Sequence, residues 1–458
     1  MFQAKSSTAN FNRWRTTGGT PENRRPRTLL KTRCCPVRFH SPTWLPLKLF
    51  LPAIALLTSL SLMTFATETE LVITVERPEP DQTEQADQTI QPKPAKSPFH
   101  GQRSSVDVAI LLDTSNSMDG LIRQAKSQLW TIVQQFAEAR KNGQTPLLRV
   151  ALFEYGNTHL PASEGYIRQV VPLTDDLDKL SAALFSLSTQ GGDEYCGQVI
   201  GEAVTRLDWS REPGSYKALF IAGNEPFTQG PVDYRHACKR AIERGIVVNT
   251  IHCGNQQAGV RGKWQHGAQL AEGEFFNIDQ DRAVVSIPCP QDKIILRLNT
   301  ELNKTYLWFG KKEKRSQYEQ NQAVQDVNAS SASPAAAVGR TITKAGKIYA
   351  NRNRDLVDTL AADGEILHKV ETEDLPAAMQ AMTLEQRKTH LQRMAAKRAE
   401  LQQRIARLAA QREAYLVKQR QYQSTQDGKA TLGDAVVKAI RKQLVHAGFE
   451  TAASGAAN

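Results

Sequence analysis

The segment that most constrains this chain is Ile110-Leu-Leu-Asp113-Thr-Ser115-Asn-Ser117-Met. An apolar run of strand length, Val106 to Leu112, ends in an acid. Two hydroxyls follow at spacings of two, and helical periodicity starts at once. Leu121, Ile122, Ala125, Leu129, Ile132, Val133 and Phe136 fall on one side of a helix. The apolar run reads as a strand buried on both faces. In an extended loop the period of two points Asp113, Ser115 and Ser117 to the same side. One carboxylate and two hydroxyls are hard oxygen donors. They suit Mg²⁺ or Mn²⁺ with water completing the sphere, and can suit Ca²⁺. The competing reading is a plain helix cap at Ser117.

Further strands are expected at Leu147–Phe153, Tyr166–Leu173, Lys217–Ala222, Ile246–Ile251 and Glu274–Ile278. Helices are expected at Leu177–Leu187, Val199–Leu207, Val232–Arg244 and Lys263–Leu270. This alternation predicts an α/β fold, a doubly wound and mainly parallel sheet covered on both faces over residues 105–280. Such sheets bind ligands beyond the carboxyl ends of their strands.

These motifs together resemble a von Willebrand factor type A domain. Asp113-x-Ser115-x-Ser117 is similar to the first loop of that family's metal-ion-dependent adhesion site. Gly191-Gly192-Asp193-Glu194 resembles its second metal loop, Lys217–Ala222 its fourth strand, and Arg244–Ile251 with Gly254 its fifth strand and exit turn. Ala268 to Phe276 resembles its last helix and strand. The resemblance implies Mg²⁺, Mn²⁺ or Ca²⁺ held by Asp113, Ser115, Ser117 and Asp193. Thr189, Glu194, Asn224 and Glu225 are further ligand or rim candidates. It also implies a vacancy filled by an Asp or Glu of a partner protein. Two departures stand out. Asp193 occupies the place where the family usually has a Thr. Asn224-Glu225 follows the fourth strand, where an Asp is usual.

The net charge of +11, from 58 Lys+Arg and 47 Asp+Glu, sits almost entirely in a leader. Residues 1–50 hold ten Lys/Arg and the single acid Glu22, leaving about +2 for the rest. That placement argues for targeting, not nucleic-acid binding. Leu49 to Ala66 is uncharged and apolar, and Thr64-Phe65-Ala66 resembles a cleavage site. Residues 1–66 read as a signal peptide with a long basic head, or as an uncleaved membrane anchor through 49–66. Either places the remainder outside the cytoplasm, in the periplasm or cell envelope. Residues 67–104 read as an acidic, Pro-rich tether. Outside the leader, which contains Cys34 and Cys35, four cysteines remain: Cys196, Cys238, Cys253 and Cys289. They permit disulfides in an exported protein, or four buried thiols.

After a helical extension at 281–311, residues 312–348 are Gln/Asn-rich and then Ser/Ala/Pro-rich, and read as a low-complexity linker. A short helical segment at 349–377 precedes a long helix at 378–425. There Leu391, Met394, Arg398, Leu401, Ile405, Leu408, Arg412 and Tyr415 step alternately by three and four. This is a heptad seam with arginine at two positions, either a weak coiled coil self-associating through 384–416 or a helix packed on its own domain. A final helix covers Leu432–His446, within a segment 430–450.

Chemistry by an enzyme was weighed on Asp113, Asp193, Glu194 and Glu225 with His159, His236, His252 and His266. Adjacent strand residues point to opposite faces, so His252 and Cys253 diverge and do not form a nucleophile pair. No Walker loop, H-E-x-x-H, G-x-S-x-G or G-x-G-x-x-G occurs. The expected function is therefore a non-enzymatic, metal-assisted protein-binding or scaffolding module. The alternative is an interaction protein with a degenerate metal site acting through its C-terminal helices, and a metal-dependent hydrolase ranks below both.

Overall fold

The computed structural model describes residues 104–282, 284, 286–423 and 431–451, with side chains in the long helix described up to residue 419. The leader 1–66, the tether up to residue 103 and residues 424–430 lie outside the described residues.

Six strands form one sheet: β1 (Ser105–Asp113), β2 (Leu147–Tyr155), β3 (Ile167–Thr174), β4 (Tyr216–Gly223), β5 (Val247–Cys253) and β6 (Phe275–Ile278). Their order is β3-β2-β1-β4-β5-β6, with β3 antiparallel to β2 and every other neighbour parallel. The helices between them are α1 (Asp119–Glu138), α2 (Leu177–Ser186), α3 (Cys196–Arg206), α4 (Tyr234–Glu243), α5 (Gln256–Arg261) and α6 (Trp264–Leu270). The period of two in β1 divides its side chains between two cores. Val106, Val108 and Leu112 pack with α1 and α2, whereas Ala109 and Leu111 pack with α3, α4 and α6. Asp113 ends this central strand, so the chain places it at the sheet's carboxyl edge.

The C-terminal region is helical: α7 (Asp292–Asn303), α8 (Lys312–Ala332), α9 (Pro334–Lys344), α10 (Leu356–Leu360), α11 (Ile366–Lys369), α12 (Ala377–Gln380), α13 (Leu384–Gln423) and α14 (Leu432–His446). The expected linker at 312–348 is thus corrected to two packed helices, α8 and α9. The cause is a buried ionic cluster that composition conceals. Arg340 is 1 % exposed and donates to Asp178 of α2 at 2.6 Å and to Asp326 of α8 at 2.5 Å. Lys344 reaches Asp326 at 3.1 Å, and the Tyr349 hydroxyl donates to Asp178 at 2.7 Å. Buried charges that are fully paired fix the orientation of the elements carrying them.

The seam of α13 is occupied within the same chain, so the coiled-coil alternative is corrected too. Leu401 and Ile405 belong to the core beneath the sheet, and Leu391 to a small core with Leu356, Leu367 and Met379. Both seam arginines are engaged. Arg398 bonds Asp355 and Asp358, and Arg412 bonds Asp292 at 2.8 Å.

Helix α14 returns to the sheet. Leu432, Val436, Ile440 and Leu444 join the core formed by β1 and α1. The Leu432 N–H donates to Gln124 Oε1 at 2.8 Å, and the Gln443 amide donates to Asn249 of β5. Among the described residues, no helix is long and apolar enough to cross a membrane.

Candidate metal centre

Asp113 leaves β1 fully buried. Its Oδ1 accepts from the Ser115 N–H at 2.8 Å, whereas Oδ2 is buried without a hydrogen-bond partner. Ser115 and Ser117 follow with hydroxyls 3.2 Å apart. The period-two geometry expected of this loop therefore holds: both hydroxyls sit together beside the acid. Ser117 accepts a second hydrogen bond from Asn224 Nδ2 at 3.0 Å. That amide stands at the end of β4, where a carboxylate would have accepted rather than donated. Asn224 Oδ1 is buried and unpartnered.

The second loop differs from the expected ligand set. Asp193 is exposed and accepts from the Tyr195 hydroxyl at 3.2 Å. Thr189 donates to Asp119 at the start of α1. The buried acid of this loop is Glu194, 6 % exposed. The charge of Asp113 acts on it, and the Ser115 side chain opposes that effect. Consecutive residues of an extended segment face opposite ways, so Glu194 is buried where Asp193, the residue aligned on Gly191-Gly192, is exposed.

Two glycines give the carboxylates their space. A Cβ on Gly156 would lie 2.8 Å from Glu194 Cγ and 2.9 Å from Asp113 Oδ1. One on Gly223 would lie 2.5 Å from the Tyr155 hydroxyl and 3.0 Å from Asp113 Oδ2. The two acids therefore converge on one small space roofed by backbone.

Their electrostatics match that crowding. Burial pushes Asp113 up to about 7, against the opposing hydrogen bonds from Ser115 and the Asn224 backbone, and the Glu225 charge adds to the rise. Burial also pushes Glu194 up to about 7, reinforced by the charges of Asp113 and Glu225. Burial without a cation disfavours the charged form of each. Among the described residues no three His, Cys, Asp or Glu side chains gather closely enough to hold an ion by themselves. The donor chemistry here is mixed: an unpartnered buried carboxylate oxygen, two hydroxyls and a second acid. That is a set for a small hard divalent cation.

The remaining candidates fall elsewhere. Cys196, Cys238 and Cys253 are buried thiols, the second of the two readings given above, and Cys289 is buried as well. Cys253 packs in the core beneath the sheet while the His252 ring lies 5.8 Å from Trp264 on the other face. His252 Nδ1 lies 2.9 Å from Asn277 Oδ1, and His266 Nδ1 lies 2.9 Å from the Tyr234 hydroxyl. Sequence reasoning missed Gln280 and Gln124. Gln280 Nε2 donates to the Ser117 carbonyl at 2.7 Å, and Gln124 Nε2 to the carbonyls of Asp279 and Gln280. An amide on a helix and one in a turn carry no motif that would have singled them out.

Residues 107–281 match the model of the von Willebrand factor type A domain. No curated protein matches the chain. Among solved structures, the SpRpn10 VWA domain aligns at 17 % identity over 39 % of this chain and 90 % of its own, with TM-score 0.31. BatB from Bacteroides thetaiotaomicron aligns at 16 % identity over 48 % of this chain and 98 % of its own, with TM-score 0.30. Proximal thread matrix protein 1 from the mussel byssus, with a zinc-occupied MIDAS motif, aligns at 16 % identity over 39 % of this chain and 43 % of its own, with TM-score 0.30. Residues 107–281 of this chain are a von Willebrand factor type A domain.

Proposed function

We propose that the protein is a non-enzymatic binding module that captures a partner's carboxylate through a divalent cation, Mg²⁺ first among Mn²⁺ and Ca²⁺. The observation that carries this reading is Asp113 Oδ2, buried and unpartnered beside the Ser115 and Ser117 hydroxyls. An unpartnered buried carboxylate oxygen is costly, and a cation removes the cost. Asp113, Ser115 and Ser117 would hold the ion, with Glu194 in place of Asp193 as the second acid. The bound cation supplies a Lewis-acidic position for a further hard anion. Protein side chains leave such a position open because only one or two acids approach it.

The basic leader supports an exported protein acting in the periplasm or cell envelope. A second reading, a degenerate site with binding through the C-terminal helices, draws on one observation: Asn224 presents an amide donor to Ser117. Thermal stability of the full chain in EDTA, Mg²⁺, Mn²⁺ and Ca²⁺, beside Asp113→Ala, separates the two. A cation at about 100 times its dissociation constant adds about 2.7 kcal/mol. A melting-temperature rise in wild type alone supports the metal reading; identical curves in all four buffers reject it.

A further inference from the structure

The segments that meet around Asp113 carry more negative charge than one cation removes. Residues 113–123, 156–160, 188–195, 223–229 and 279–282 contain seven acids, two arginines (Arg123 and Arg282) and no lysine. Fully ionised they total −5, and a bound divalent cation leaves −3. Asp113 and Glu194 are buried at the centre, Glu225 is half-buried, and Asp119, Asp193 and Asp281 are exposed.

The outer acids converge from four loops. Asp119 opens α1 two residues beyond Ser117 and accepts from the Thr189 hydroxyl. The Gln190 N–H donates to the Thr114 carbonyl at 2.9 Å, which seats the loop of Asp193 against that of Ser115. Glu225 follows Asn224, whose amide reaches Ser117 at 3.0 Å. Asp281 stands over Gly120, where a Cβ would lie 2.9 Å from Asp281 Oδ1. Little offsets these charges. Among the described residues, Asp119, Asp193 and Glu225 pair with no lysine or arginine. Asp281 meets Arg123 only at 3.9 Å, with both side chains mostly in solvent. Such a pair screens little. The outer acids surround Asp113 Oδ2, which is buried without a partner. They therefore ring a group that itself calls for a ligand.

We propose that the carboxylate captured by the cation belongs to a basic segment of the partner, with lysine or arginine on both sides of the Asp or Glu. This rests on the metal reading given above. A cation that neutralises Asp113 and Glu194 leaves the outer acids uncompensated. A lone carboxylate, or one in an acidic stretch, approaches against their field. Flanking cations turn the same field into attraction. The ion selects the acid, and the outer acids select the sequence around it.

Three fluorescein-labelled peptides, titrated with the full chain and followed by anisotropy in Mg²⁺ and in EDTA, test this. They are Gly-Lys-Lys-Asp-Lys-Lys-Gly, Gly-Ser-Ser-Asp-Ser-Ser-Gly, and the Lys-flanked peptide with Asn in place of Asp. Wild type is compared with Asp119→Asn/Asp193→Asn/Asp281→Asn, which removes three exposed charges and keeps a hydrogen-bond acceptor at each position. In Mg²⁺, wild type should bind the Lys-flanked Asp peptide about tenfold more tightly than the Ser-flanked one. The triple variant, with its melting temperature unchanged, should bring the two within about threefold. Raising salt should shrink the lysine preference of wild type, a second measure that needs no variant. The metal reading is scored separately: Asp should bind more tightly than Asn between lysines in Mg²⁺ and equally in EDTA. Equal binding of the two Asp peptides by wild type overturns the proposal. So does a preference that survives both the triple variant and high salt, or no binding of any peptide. A lysine preference with no difference between Asp and Asn in Mg²⁺ rejects the metal reading and upholds the selection of basic segments. A difference between Asp and Asn with no lysine preference does the reverse.

Discussion

The guanidinium of Arg398 meets the carboxylate of Asp355 through two hydrogen bonds, of 2.6 and 3.2 Å, where neither side chain reaches solvent. Its other donors go to Asp358 at 2.8 Å and to the Thr305 hydroxyl and carbonyl, and its plane lies 4.2 Å from the Tyr306 ring centroid. Planar fork geometry of this kind is specific to arginine. Arg398→Leu leaves Asp355 and Asp358 buried without a counter-charge. It should cost about 3–5 kcal/mol, and Arg398→Lys should recover only part. Urea denaturation of both variants checks this; a loss below about 1 kcal/mol in Arg398→Leu would show the network to be superfluous.

Gly223 bounds the space around Asp113 Oδ2. Gly223→Ala places a methyl 3.0 Å from that oxygen and 2.5 Å from the Tyr155 hydroxyl. Overpacking should cost about 1–3 kcal/mol and abolish the Mg²⁺-induced rise in melting temperature. Gly201→Ala in α3 is the control, because nothing lies within 4 Å of its Cβ. It should be neutral or stabilise by up to about 1 kcal/mol.

Lys344 predicts an alkaline signature. Burial drives its ammonium down to about 8, against the pull of Asp326 and with a further push from Arg340. Between that value and 10.5 the unfolded chain binds the proton that the folded chain has shed, so stability rises with pH across this window. The ammonium therefore costs most below pH 8. Relative to Lys344→Met, wild type should gain about 2 kcal/mol from pH 8 to 9.5. Parallel denaturant midpoints over that range test it, and a flat difference contradicts it.

Helix α14 should unfold together with the sheet. Ile440 is fully buried in the core shared with β1 and α1. Ile440→Ala should cost about 2–5 kcal/mol, and the full chain should keep a single transition by tryptophan fluorescence and circular dichroism. Two separated transitions would mean that α14 is an appendage.

The sheet and the Asp113–Ser117 loop were legible because burial on both faces produces apolar runs, and an acid ending such a run stands out. The choice between Asp193 and Glu194 was not legible. It turns on a single residue of register, which reverses the side each one faces. Composition misled at 312–348 for a related reason. Gln322, Gln325, Arg340 and Lys344 read as solvated residues, yet all are buried. Arg340 also reaches Asp178, Lys344 Asn303 and Gln322 Tyr349, all outside that window. The arginines of the α13 seam looked like interruptions of a coiled coil. They mark the points where the helix reaches buried carboxylates of its own chain.

The contact between Leu432 and Gln124 spans 308 residues of sequence. The strand bearing Asp113 thus gains one of its covering helices only after 308 further residues separate that helix from α1. Until then, the apolar face that α14 will occupy stays open, and long-range closure of this sort is slow. A helix packed through Leu432, so far along the chain from Gln124, therefore sets when this face of the sheet closes.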